Sequence, residues 1–381
     1  MYKVALVQCV CPHYRVPFFK KLAQKIDVCL FYGKGEKRGS WQNAAAITGF
    51  KHRKLFSLKL KFKVNNITVR LVWFPALFHR LKKHTPDVVI SEGFTNILNN
   101  IGICLFCSLC SIPWIIWDSG RKKENPMNLW RKAAELLNVF LLKRAKAVLA
   151  YGSVARDYFV SIGINARKIF VAHNTIDVES CMKHALGLNA DSTPVKRIRD
   201  RMNLNGKKVI LYVGALEKRK KVQNLITAFK EIVQEIPEAV LLIVGDGNYE
   251  KNLAEMVRMA DIKNCIFTGK ITEGVGRFFA LSDFFVLPGQ GGLAVNQAMS
   301  YGKPVIVGQS DGTEIDLVKH GYNGYLIKDI NDLTTAMRTL LTNPLLRGQM
   351  GGASLEIIRR YTLKNMIQKF ESAVEYVLSL S

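Results

Sequence analysis

Short runs of consecutive apolar residues alternate along this chain with longer stretches in which apolar residues recur every three or four positions. In the first half the short runs are "KVALVQ", "IDVCLFY", "DVVIS", "PWIIW", "AVLAYG" and "IFVAHN". In the second they are "VILYVG", "AVLLIVG", "IFTG", "DFFVLPG" and "PVIVGQ". Strands without a polar side, joined by segments such as "NLWRKAAELLNVFLLKRA" with helical spacing, predict parallel sheets covered on both faces. The fold class is therefore α/β, with two doubly wound Rossmann-like domains and a ligand cleft expected between them.

The pattern lapses between Ser180 and Gly206, where Asn, Asp, Ser, Thr and Pro collect. This predicts a first domain over 1–180, a linker over 181–206, a second domain over 207–361 and a closing helix over 362–381 that packs back across the linker. The uncharged stretch from Gly93 to Trp117 has the length of a membrane span, but Asn96, Asn99, Asn100, Gly102 and Pro113 divide it. A buried helix followed by the strand "PWIIWD" is the better reading.

Composition changes this picture in two ways. The eight cysteines lie mostly inside apolar runs, which argues for a reducing compartment and against a disulfide framework. No fourth ligand accompanies "CLFCSLC", so those thiols are expected in the core and no metal is expected. The formal charge of +25 is unevenly placed: residues 37–86 hold twelve Lys or Arg and no carboxylate. In "LKLKFKV" the alternation predicts Leu58, Leu60 and Phe62 facing inward and Lys59, Lys61 and Lys63 facing out. The stretch "FPALFHRLKKH" reads as a short basic amphipathic helix. Either this is a solvated surface, or it docks on anionic lipid headgroups. Nucleic acid is not expected, because no binding motif accompanies the charge.

Candidate chemistry follows the strand ends. After "ILYVG", Arg219, Lys220 and Lys221 stand at the start of a helix, an arrangement that suits a diphosphate although cations there oppose the helix dipole. After "DFFVLPG" come Gln290, Gly291, Gly292 and Leu293, where adjacent glycines permit close backbone approach ahead of another helix. A plain tight turn is the alternative for that loop. In the first half, "CPHYRVPFF" follows the first strand, with Arg15 as an anion contact beside His13 and Tyr14.

These motifs in order, with "SDFFVLPG…GGLAVNQAMSYGKPVIVG" and "DLVKHGYNGYLI", resemble the nucleotide-sugar domain of retaining glycosyltransferases of family 4, which have the GT-B fold. The resemblance is strong from Lys208 to about Leu340. It implies a donor diphosphate held by Arg219, Lys220, Gly291, Gly292 and Leu293, and a base against Gly269, Lys270 and Ile271. It implies a ribose held from Gln297 and a donor sugar near Gln290 and Gly291, with His13, Tyr14 and Arg15 on the acceptor side. Asp118 and Ser119 fall where the family faces the donor sugar, which makes them catalytic candidates or simply caps of the next turn. Three positions depart from the family pattern: Ala215 replaces an arginine, and Gly289 and Gln297 replace two glutamates.

The expected activity is metal-independent sugar transfer, with retention, from a nucleoside diphosphate sugar to a glycan or lipid-linked glycan. No cofactor beyond that substrate is expected. The site expected is cytoplasmic, peripheral on the cytosolic face of a membrane with an anionic surface, in bacterial surface polysaccharide (lipopolysaccharide-type) assembly. A non-catalytic nucleotide or glycan binder of the same fold and a charge-driven nucleic-acid binder are the alternatives.

Overall fold

The computed structural model describes the chain outside residues 37–41, 65–66, 121–128, 189–191, 309–311 and 381. The side chains of 61–64, 67–70 and 129–131 also lie outside the described residues, and with them the expectations for Lys61 and Lys63. Two compact units are present: one runs to Asn174 and takes in the last helix, and the other spans Thr175–Thr362.

In the first unit the strands are β1 (Lys3–Gln8), β2 (Asp27–Tyr32), β3 (Lys51–Lys54), β4 (Leu58–Val64), β5 (Ile67–Trp73), β6 (Val88–Glu92), β7 (Trp114–Asp118), β8 (Ala147–Ala150) and β9 (Ile169–Val171). Its helices to that point are α1 (Val16–Leu22), α2 (Leu77–His84), α3 (Ile97–Leu109), α4 (Leu129–Arg144) and α5 (Ser153–Ser161). Seven strands form one parallel sheet in the order β3-β2-β1-β6-β7-β8-β9, and β4 and β5 form a separate antiparallel hairpin. Val4, Ala5, Leu6 and Val7 are all fully buried, as a strand sandwiched between two helical layers requires.

The second unit begins with α6 (Val178–Leu186) and α7 (Thr193–Arg201). Its strands are β10 (Lys208–Val213), β11 (Ala239–Val244), β12 (Cys265–Gly269), β13 (Phe284–Leu287), β14 (Val305–Gly308) and β15 (Gly324–Ile327). Helices α8 (Val222–Glu235), α9 (Glu250–Met259), α10 (Gly276–Leu281), α11 (Leu293–Ser300), α12 (Thr313–Leu317), α13 (Ile330–Thr342) and α14 (Pro344–Ile358) complete it. Its parallel sheet has the order β12-β11-β10-β13-β14-β15. In both units the chain therefore winds outward from a central strand, returns, and winds the other way. The switch points lie between β1 and β6 and between β10 and β13.

Two expectations need correction. The segment 181–206 is not a plain linker: it holds most of α6 and all of α7, with Val178 and Val195 fully buried. Just before the segment the Asp177 carboxylate caps α6 by accepting from the Ser180 N–H, and within it Pro194 sits in the first turn of α7. The hairpin also faces the other way. Lys59 pairs across the hairpin with Val72, and cross-strand partners share a face. Val72 is buried in the core, so Lys59 turns inward and donates to the Gly35 carbonyl at 3.4 Å. Leu58 and Leu60, opposite Trp73 and Leu71, are the exposed residues. One residue of strand phase decides every side chain's direction.

The last helix, α15 (Leu363–Leu378), packs on the first unit's sheet. Leu363, Met366, Ile367, Phe370, Ala373, Val374 and Val377 recur at helical spacing and are all buried. The Phe370 ring lies 5.0 Å from both Phe18 and Trp117, centroid to centroid. Phe370→Ala should therefore lower the unfolding free energy of the first unit by about 3–5 kcal/mol. Denaturant unfolding followed through tryptophan fluorescence checks this; an unchanged transition would contradict the placement of α15.

Candidate functional site

The second unit's switch point is closed by two loops that leave the carboxyl ends of β10 and β13. A short 3₁₀ turn, Lys218–Lys220, precedes α8, and Lys221 caps that helix in the left-handed region at φ 53°. The Gln290 N–H donates to the Arg219 carbonyl at 3.0 Å, which zips the loops together. Lys220 Nζ then reaches across to donate to the carbonyls of Gln290 at 2.5 Å and Gly291 at 3.2 Å. These anchors fix the Gln290–Gly291 and Gly291–Gly292 peptide planes and with them the direction of the Gly291 and Gly292 N–H groups. Leu293 then opens α11, whose first N–H groups lack intrahelical partners.

Gly289 has a specific cause in this arrangement. A Cβ there would lie 2.4 Å from the Lys220 carbonyl carbon and 2.6 Å from the Arg219 oxygen. No side chain fits beneath that backbone, a carboxylate least of all. Gln290 is nearly buried, and its Oε1 accepts from Arg219 Nη1 at 3.4 Å. Glu217, which the sequence reading passed over, accepts from Arg219 Nε at 2.6 Å and so fixes the guanidinium plane. Its signal was only a carboxylate two residues before an arginine. Tyr212, also passed over, donates its hydroxyl to the Ala215 carbonyl at 3.0 Å, and burial raises its pKa.

The neighbouring strand ends meet the same edge. Gly245 donates its N–H to the Gly269 carbonyl at 2.9 Å, and Gly269 has a φ of +71° with no atom within 4 Å of a Cβ there. Lys270 is exposed and Ile271 half-buried beside it. Gln297 is half-buried on α11, between Asn296, whose Nδ2 donates to Thr175 Oγ1, and the fully buried Ala298. The structure thus brings Arg219, Lys220, Gln290, Gly291, Gly292 and Leu293 together. Gly269, Lys270 and Ile271 stand two strands along, and Gln297 lies further down α11.

The first unit has its own polar cluster at the β1/β6 switch point. Arg15 is buried, with its guanidinium carbon 4.1 Å from the centroid of Trp117 and its Nη2 donating to the Tyr151 hydroxyl at 3.3 Å. Arg15 Nη1, Trp117 Nε1 and Gln8 Oε1 are buried without hydrogen-bond partners among the described residues. Glu92, not singled out by sequence, accepts from the Cys9 N–H and from Gln8 Nε2, both at 3.3 Å. Burial pushes its carboxyl pKa up, against the pull of Arg15. Tyr14 is half-buried and His13 exposed at the mouth of this cluster.

Asp118 is buried, and its oxygens accept from the Phe94 N–H at 2.9 Å and the Gly120 N–H at 2.7 Å. A Cβ on Gly93 would lie 1.7 Å from its Oδ2, so this carboxylate fills the turn that follows β6. Ser119 is half-buried next to it. The geometry gives Asp118 a turn-holding role. Among the described residues no group of three or more His, Cys, Asp or Glu is placed to hold a metal ion, and no helix is long and apolar enough to cross a membrane.

Comparison with known proteins bears on the same region. Residues 195–356 match the family model described as glycosyl transferases group 1. A GDP-mannose-dependent alpha-(1-6)-phosphatidylinositol monomannoside mannosyltransferase of Mycolicibacterium smegmatis is 30% identical over 183 residues, 44% of this chain and 47% of the relative. A sulfoquinovosyl transferase of Arabidopsis thaliana is 29% identical over 164 residues, 41% of this chain and 31% of the relative. The chain thus spans about half the length, or less, of these curated relatives. Among solved structures, Anabaena HepE in complex with UDP superposes with a TM-score of 0.77 at 16% identity, covering 98% of this chain and 100% of that one. The lipopolysaccharide outer core galactosyltransferase WaaB gives 0.67 at 18% identity, covering 98% and 99%. The second unit accordingly carries the sequence signature of glycosyl transferases group 1, and the two Rossmann-like units have the fold of the GT-B glycosyltransferases.

Proposed function

We propose that the chain transfers a sugar, with retention of configuration and without a metal, from a nucleoside diphosphate donor to a glycan or lipid-linked glycan. The observation that carries this is the locked pair of loops at the β10/β13 switch point. Lys220 and Arg219 bring positive charge there, and α11 starts beside them. When the bond between the anomeric carbon and the diphosphate breaks, negative charge grows on the leaving oxygen. Fixed cations and oriented N–H groups stabilise that charge without having to reorganise. The acceptor hydroxyl oxygen forms the new bond to the anomeric carbon, and its proton leaves with the diphosphate.

Gly289 and Gln297 fit a working site. The backbone N–H groups of Gly291 to Leu293, with Gln290, do the holding that a side chain at 289 does in the resembling family, and the Gln297 amide keeps an acceptor oxygen for ribose hydroxyls. The buried Arg15 cluster of the first unit suits an acceptor with a phosphate or other anionic group. We place the protein at a membrane face in surface-glycan assembly, a reading supported by the carboxylate-free basic stretch 37–86.

Nucleoside diphosphate release from a panel of nucleotide sugars, with lipid extract as acceptor source, tests the activity. Sugar appearing on lipid is the expected result, while binding of a nucleotide with no release would leave a non-catalytic binder. A second outcome concerns the loop lock. Gly289→Ala should force the Arg219–Lys220 backbone away and weaken nucleoside diphosphate binding by about 1–3 kcal/mol, the usual penalty of overpacking. Isothermal titration checks it. Tighter binding by Gly289→Glu than by the parent would show that a carboxylate fits there after all.

A further inference from the structure

The outer face of the layer that covers one side of the first sheet exposes apolar side chains in order. On α3, Ile103, Phe106 and Cys107 are buried against the sheet, while Ile101, Leu105 and Leu109, four residues apart, line the opposite side. Leu105 is 59% and Leu109 84% exposed. On the adjoining α4, Leu136 and Phe140 repeat the spacing, at 71% and 51%. Phe78 of α2 bridges to α3 by lying across Gly102, where a Cβ would come 2.7 Å from its ring. Isolated exposed leucines are ordinary; an ordered stripe across three neighbouring helices is not.

The face is held firmly. Asn99, buried on the inner side of α3, donates to the Val72 carbonyl at 2.8 Å and accepts from the Phe74 N–H at 2.8 Å, which ties β5 and its hairpin to the helix. On that hairpin Leu58, Leu60 and Trp73 are exposed as well. Cations border the surface: Arg80, Lys82 and Lys83 are exposed on α2, and Arg144 lies over the Phe140 ring at 5.3 Å. The helix that carries the stripe has no charged residue at all.

From this arrangement we infer that the α2–α3–α4 face, with the β4–β5 hairpin, seats on an anionic lipid bilayer, with Leu105 and Leu109 entering the boundary between headgroups and acyl chains. Charge decides the occupant. Lysines and arginines bordering an apolar patch suit phosphate headgroups, whereas two copies of this face would bring their cations together. The inference rests on the membrane-facing part of the reading above and is independent of sugar transfer. It also moves the contact from the lysines of β4 to the exposed leucines beside them and to the helices.

The test is co-sedimentation of the full chain with vesicles of phosphatidylcholine alone or mixed with phosphatidylglycerol, beside titration of nucleoside diphosphate as a control. The parent should bind the mixed vesicles and release from them in high salt. Leu105→Glu with Leu109→Glu should lower partitioning more than about tenfold. Arg80→Ser with Lys82→Ser and Lys83→Ser should lower it about a hundredfold at low salt. Both variants should bind nucleoside diphosphate as the parent does, so lost vesicle binding is separate from lost donor binding. Vesicle binding unmoved by either set overturns the inference, as does a parent that ignores anionic vesicles. A parent dimer broken by Leu105→Glu would overturn it in favour of a second copy.

Discussion

The contact on which the candidate donor site depends is the passage of the Arg219–Lys220 backbone directly over Gly289. With 2.4 Å between a would-be Cβ and the Lys220 carbonyl carbon, only glycine permits the two loops to close. Closure lets Gln290 donate its N–H to Arg219 and lets Lys220 reach the next two carbonyls. Those bonds in turn set the direction of the peptide N–H groups ahead of α11. A side chain that looks missing in sequence is thus space given to backbone.

Both units repeat one construction. The sheet order reverses beside its first strand, and the loops from the two strands at that point carry the polar groups. In the second unit those groups are cations and backbone amides. In the first they are Arg15 and Glu92, with Arg15 stacked over Trp117 and one of its nitrogens buried without a partner among the described residues. A buried guanidinium with an unused donor is costly unless something completes it, and this supports the acceptor role proposed for the cluster. Asp118, a catalytic candidate by its sequence position, holds the turn after β6 through the Phe94 N–H and the turn after β7 through the Gly120 N–H.

Much of the fold was legible because parallel strands buried on both faces write unbroken apolar runs. Two of the strands absent from that reading show the limits of the signal. β3 is "KHRK", four exposed residues at the sheet edge with no apolar member, and β15 is four residues long and begins with Gly324. The phase of β4 was misread because alternation states that two faces differ without stating which is covered; the partner strand decides it through Val72. The loop residues Arg219, Lys220 and Gly291 were legible from their places after strands. Glu217, Tyr212 and Glu92 were not, since their roles arise from bonds to groups distant in sequence or from burial alone.

The central claim is that Lys220 and the loop it locks form a diphosphate site. The most direct measurement is calorimetric titration of a nucleoside diphosphate and of its uncharged nucleoside into the parent and into Lys220→Ala. Losing one charge-assisted hydrogen bond costs about 1.5–3 kcal/mol. The account predicts a loss of that size for the diphosphate and almost none for the nucleoside. Equal losses for the two ligands, or no loss for the diphosphate, would contradict it.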